Sequence, residues 1–177
     1  MPEIRSVLQR ARNNRLVLEQ LLDQVPGERW RNQADGDAWT ARAHLEHLAT
    51  IDTVTYELLE SPGERGFGLD HHVLMRRSAL MAEVAGSPVD ELRDAMAASR
   101  EALVGHIARF DDEWLAMPVV VTLPGAYPPE QAISMRAYLA SWAEHDAEHA
   151  EAIRAAITAS IQPGALSAAV RIRRKDG

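Results

Sequence analysis

The chain has 177 residues, 19 basic and 26 acidic side chains, and no cysteine. That length suits a single domain whose core needs no staple, and the missing cysteines exclude a disulfide scaffold, a Cys-type zinc finger, an iron–sulfur cluster and a cysteine nucleophile. The last seven residues carry four basic side chains and one acid, so the first 170 hold a net charge of −10, a poor match to duplex DNA.

Prolines 26, 62, 88, 118 and 163 divide the chain into segments that can each hold a helix. The first runs from Ile4 to Val25 with the apolar stripe Ile4, Val7, Leu8, Ala11, Leu18, Leu21, Leu22, Val25, interrupted by Asn14. Residues 26–38 read as a loop. The second helix runs from Thr40, a candidate N-cap with Trp39 packing back as a staple, to Glu60. A long link, Ser61 to Gly86, follows, with a weak helical patch from His72 to Val84. The third helix starts after Ser87, with Pro88 at its first position and Asp90 completing a capping box; its stripe is Leu92, Met96, Ser99, Leu103, His106, Phe110. Val119 to Leu123 is β-prone and is followed by Pro124-Gly125, which predicts one strand or an extended rim. The fourth helix runs from the N-cap candidate Ser134 to about Ser160. The predicted fold is all-α: a four-helix bundle over residues 1–162 with a long crossover between the second and third helices. Residues 163–177 form a basic tail, expected to be mobile. The third link apart, nothing predicts β structure. No run approaches ~18 apolar residues, so neither a signal peptide nor a membrane span is expected, and a cytoplasmic location is.

Seven histidines occur, and their placement is uneven. On the fourth helix the inner stripe is Met135, Tyr138, Leu139, Trp142, His145, His149, Ala152, Ile153, Ala156. His145 and His149 thus share one face, about 6 Å apart along the axis, close enough to converge on one ion. On the second helix the stripe His44, His47, Leu48, Ile51, Val54, Leu58 turns His47 inward, with His44 one turn earlier and nearer solvent. A lone inward histidine is ordinarily a core residue bonded to a carbonyl or a carboxylate. Three of them on two helices would leave several polar atoms buried, each costing roughly 1–3 kcal/mol if unpaired, and one divalent ion would satisfy all three. Asp146, Glu148, Glu144 and Asn14 are available as acceptors for the outer ring nitrogens. His106 reads as structural, and His71 and His72 as part of the solvated link. The H-x-x-x-H of His145 to His149 lacks the glutamate of the zinc-protease motif. The paired E-x-x-H of di-iron bundles, the G-x-S-x-G elbow and a phosphate-binding glycine loop do not occur.

Trp39-Thr40-x-x-x-x-Leu45-x-His47-Leu48, with His145-Asp146-x-x-His149 later in the chain, resembles the DinB-like superfamily, which includes bacillithiol transferase-like proteins and mycothiol-dependent maleylpyruvate isomerase. The resemblance covers nearly the whole chain. It implies a bundle of up-down-down-up order, a divalent metal site formed by His47, His145 and His149, and a homodimer. The ion would be Zn, Ni or Fe, which three imidazoles alone do not distinguish. The activity it implies is transfer of a low-molecular-weight thiol to a small-molecule substrate. Metal-dependent hydrolysis, or a non-enzymatic stress-response bundle stabilised by metal, are the alternatives. This chain departs from the family pattern at Ala43 and His44, where an acidic residue is common, and at Ala152, where glutamine is common. No nucleic-acid or membrane partner is expected; four charges on the tail read as a solvated terminus.

Overall fold

In a computed structural model of the chain, residues 2–60, 66–122 and 131–159 are described. The boundary at residue 162, the basic tail and Leu123 to Gly125 lie outside them. The described residues are mostly helical, in agreement with the sequence. They form α1 (Pro2–Leu22), a 3-10 turn (Gly27–Arg31), α2 (Ala41–Glu60), α3 (His71–Val84), α4 (Val89–Ile107), α5 (Asp112–Ala116) and α6 (Met135–Thr158).

The helix starts follow local hydrogen bonding. Thr40 Oγ1 accepts the Ala43 N–H at 3.2 Å, and the Trp39 ring rests 5.3 Å from that of His44, one turn into α2; both are the predicted capping devices. Ser134 Oγ accepts the Ala137 N–H and caps α6. The predicted box at Ser87 does not form. Pro88 takes the N-cap position of α4 in extended conformation, with no side-chain bond. Ser87 instead closes the preceding helix, its N–H on the Val84 carbonyl at 3.0 Å. The weak patch after His72 is a full helix, α3, because the Asp70 carboxylate accepts the N–H groups of His72 and Val73.

The all-α expectation needs one correction. Pro118–Val121 forms β2, as the valine run predicts, but it is flanked by β1 (Phe67–Leu69), parallel to it, and β3 (Gln131–Ser134), antiparallel. β1 is three residues long and β3 is exposed throughout, so neither carries the alternation that marks a strand. Phe67 and Val119 point into the core, both fully buried. Gly66 leads into β1 at φ +105°, where a Cβ would collide with the Pro118 carbonyl.

Side-chain pairs set the sense of the long helices. Asn14 reaches the Ala143 carbonyl and Arg136 reaches Glu3, so α1 and α6 run the same way. Arg42 reaches the Ser87 carbonyl, Arg100 reaches Asp52 and His106 lies at the Leu59 carbonyl, so α2 and α4 also run together. His47 meets His145, Asp52 meets Trp142 and Thr55 meets Tyr138, so α2 and α6 are antiparallel.

The core falls into two apolar clusters. One joins the first half of α1, the end of α2, the sheet, α5 and the start of α6 around Leu8, Leu59, Leu103 and Leu139. The other joins the second half of α1, the start of α2 and the end of α6 around Leu18, Leu45, Met96 and Ile153. Between them each long helix contributes one buried charge: Arg15, Asp52, Arg100 and Asp146. Arg15 Nε donates to Asp146 at 2.9 Å and Arg100 Nε to Asp52 at 2.6 Å. The second contact of each arginine crosses over, Arg15 to Asp52 at 3.4 Å and Arg100 to Asp146 at 3.0 Å. Trp142 Nε1 adds a bond to Asp52, and the Arg100 guanidinium lies 4.6 Å from the Trp142 ring centre. Two acids and two bases in one layer leave no net charge.

Candidate metal centre

The antiparallel contact of α2 and α6 brings together the three histidines singled out from the sequence. His47 Nε2 lies 3.2 Å from His145 Nε2, and His149 Nε2 lies 3.2 Å from the same atom. One ligand atom from each residue falls within 4.8 Å of the others, an arrangement that could hold a metal ion. The spacing has a physical meaning. Imidazole nitrogens at ~2.0–2.1 Å from a divalent ion stand roughly 2.8–3.4 Å apart in octahedral or tetrahedral geometry. Three Nε2 atoms facing one another can share few protons, and an ion would engage every lone pair. The donor set therefore fits a borderline divalent ion.

The remaining histidines divide cleanly. His106 packs on Tyr56 and Phe110 away from the cluster, its Nδ1 accepting from Arg109. His71 and His72 are exposed at the start of α3. His44, one turn before His47, is buried as well, 5% exposed beside 3% for His47. The loop before α2 folds back over it. Trp39 from that loop covers the cluster, 5.0 Å from the His47 ring and stacked 6.0 Å from His149.

The outer ring nitrogens do not find the acceptors that the sequence offered. Asp146 turns to the arginine layer, Glu144 to Arg10, Asn14 to the Ala143 carbonyl, and Glu148 is exposed. Asp146 and Glu148 follow the seam in sequence, but about 100° of rotation per residue carries each off the face that its neighbour presents. His47 Nδ1 and His145 Nδ1 are buried without a partner among the described residues. His149 alone is served: its Nδ1 lies 2.8 Å from His44 Nδ1, and His44 Nε2 lies 2.9 Å from Asp37 Oδ2.

Burial governs the ionisation of the cluster. It pushes His47 down to about 3, helped by the neighbouring His145 and Arg77, and His149 down to about 2, helped by His145 and His47. It also lowers His145, against the pull of Asp146 and Asp52. Burial thus disfavours the protonated form of all three rings. A consequence follows for the metal-free protein. The unfolded chain takes up these protons near pH ~6.5 and the folded chain at lower pH, so the stability associated with the neutral rings is complete above ~6.5 and is lost as pH falls below it. Chelator-treated protein should melt at a constant temperature above neutrality. Below ~6.5 it should lose up to about 1.4 kcal/mol per pH unit for each histidine involved. A flat melting profile down to pH ~5 would show that the rings take up protons in the folded state.

Helical packing and three converging imidazole nitrogens define a class of protein: a helical chain that could hold a divalent ion between two antiparallel helices. The sequence profile of the DinB superfamily matches residues 10–153, and the chain belongs to that superfamily. The matched span runs from within α1 to within α6 and includes His47, His145 and His149. No curated protein matches the sequence. None of the described helices is long and apolar enough to cross a membrane.

Proposed function

We propose that the chain binds one divalent metal ion through His47, His145 and His149 and transfers a low-molecular-weight thiol to a small electrophilic substrate. The observation that carries the reading is the convergence of one ligand atom from each of His47, His145 and His149 within 4.8 Å. An ion held there would lower the pKa of a thiol or water that it binds. The residues of the chain contribute the rest. Three uncharged donors leave the charge of a dication uncompensated and so favour an anionic partner, a thiolate above all. Trp39 and the burial of His47 exclude bulk water from one side. The chain has no cysteine, so the sulfur must arrive with the cosubstrate. Zn, Ni and Fe all suit the donor set.

The rest of the reading is of a piece with this. The four long helices are taken as a bundle of up-down-down-up order, supported by the side-chain pairs that relate α1, α2, α4 and α6. A homodimer belongs to it, with exposed Leu16 and Val17 on α1 as apolar surface, and so does a cytoplasmic setting, which supplies reduced thiols.

The test uses protein loaded separately with Zn, Ni and Fe and given a cysteine-derived thiol with an alkylating electrophile. Metal-dependent loss of free thiol, absent from His145→Ala, is the expected result. Ester cleavage without thiol consumption would move the assignment to hydrolysis. Neither activity, together with a steep fall in melting temperature on chelation, would make the ion a structural one.

A further inference from the structure

The sequence Ala34-Asp35-Gly36-Asp37 builds a tight turn ahead of α2. The Asp37 N–H bonds the Ala34 carbonyl at 3.2 Å, and Gly36, third in the turn, has φ +81°, a conformation glycine adopts without steric cost. The Gln33–Thr40 bridge closes the loop, and the Trp39 N–H fixes Asp37 Oδ1 at 2.9 Å. The other carboxylate oxygen is thereby aimed at His44 Nε2.

The direction of the hydrogen bonds then follows from elementary chemistry. The Trp39 N–H, and after it the His44 ring, hold the Asp37 carboxyl below its ordinary value. A carboxylate only accepts, so the hydrogen lies on His44 Nε2. A neutral imidazole with its hydrogen on Nε2 has a bare Nδ1. That atom faces His149 Nδ1 at 2.8 Å, so with His44 neutral the donor is His149. With its hydrogen on Nδ1, His149 has a bare Nε2, the atom that faces His145.

We propose that Asp37 and His44 form an orienting chain that holds His149 as its Nδ1–H tautomer and directs its Nε2 lone pair into the three-histidine cluster. Both are positioning residues: His44 touches His149 through Nδ1, and neither is among the three residues whose ligand atoms converge. Asp37 and His44 do for His149 what a carboxylate does directly for many metal-binding histidines, with one imidazole interposed. His47 and His145 have no such support among the described residues, so the chain sets the ring orientation of one ligand of three. The inference rests on the metal-binding reading for its purpose but not for its observation, because the Asp37–His44–His149 contacts involve no ion.

The experiment is two-bond proton–nitrogen NMR of metal-free, histidine-labelled protein at mildly alkaline pH, with zinc affinity by competition as a second readout. The expected spectrum has His149 with its hydrogen on Nδ1 and His44 with its hydrogen on Nε2. In His44→Phe, His149 loses its acceptor and should shift toward the Nε2–H form, and zinc affinity should fall roughly 10–100-fold. Asp37→Ala alters only the half-exposed loop and should produce a smaller shift in the same sense, which keeps the test valid if His44→Phe folds poorly. His149 with its hydrogen on Nε2 in the unmodified protein would overturn the inference, as would a tautomer unchanged in both variants. The expected tautomers in a protein that binds no zinc would support the chain while removing the metal reading.

Discussion

Replacing His145 by Ala should take the protein from about one bound divalent ion per chain to background. His145 is the common member of the cluster: both 3.2 Å contacts between Nε2 atoms run through it. Losing a residue that only orients a ligand ordinarily weakens metal affinity about 10–100-fold, and loss of a direct ligand should exceed that. His47→Ala and His149→Ala should also lose the ion, each leaving a pair of imidazoles. His106→Ala and His72→Ala should keep it, since the first ring lies against Tyr56 and Phe110 and the second is exposed. Elemental analysis of tag-free protein, after reconstitution and desalting, reads all five. A folded His145→Ala that retains the full metal content would sink the assignment of the site. An unmodified protein that takes up no metal would return the three histidines to the core, and superfamily membership would then speak for the fold.

The helices and the three converging histidines are legible because both depend on spacing. His145 and His149 are four residues apart on a stripe otherwise made of Met, Tyr, Leu, Trp, Ile and Ala, and period alone turns them to one side. His47 lies on a stripe of the same kind, and Thr40 and Ser134 mark where the two helices begin. The arginine–aspartate layer is not legible in the helical period, although it leaves a trace. Arg15 lies between Ala11 and Leu18, and Arg100 between Met96 and Leu103, where the apolar stripes of α1 and α4 would otherwise run on. Polar residues in such gaps look like interruptions until their partners on other helices are known. Asn14 drew attention because its amide broke the first stripe, yet the neighbour that crosses the core is Arg15. The support of His149 was illegible for a different reason. Asp37 reaches His44 only because a glycine turn folds the loop back over α2, and no helical period reports on that.

Asp52→Asn should destabilise the metal-free protein by about 3–5 kcal/mol, read by urea unfolding. Asp52 is fully buried and accepts from Arg15, Arg100 and Trp142. Asparagine nearly preserves its volume, so little of the effect comes from a cavity. What changes is charge: two guanidinium groups would face the single carboxylate of Asp146. Burial already lowers the Arg15 pKa, with the charge of Arg100 acting in the same sense and Asp146 and Asp52 opposing both. Removing one acid removes part of that opposition. The double variant Asp52→Asn, Arg100→Met restores the balance with one base and one acid, and it should recover a substantial part of the loss. Such recovery would be the signature of a balanced layer, because buried ion pairs add little net stability over apolar packing while an unpaired buried charge costs much more. A double variant no more stable than Asp52→Asn would mean that the individual hydrogen bonds, rather than neutrality, hold the layer together. The layer also bears on the cluster above it. Asp146 follows His145 directly, so the rotation of α6 that delivers the carboxylate to Arg15 and Arg100 also turns His145 toward His47.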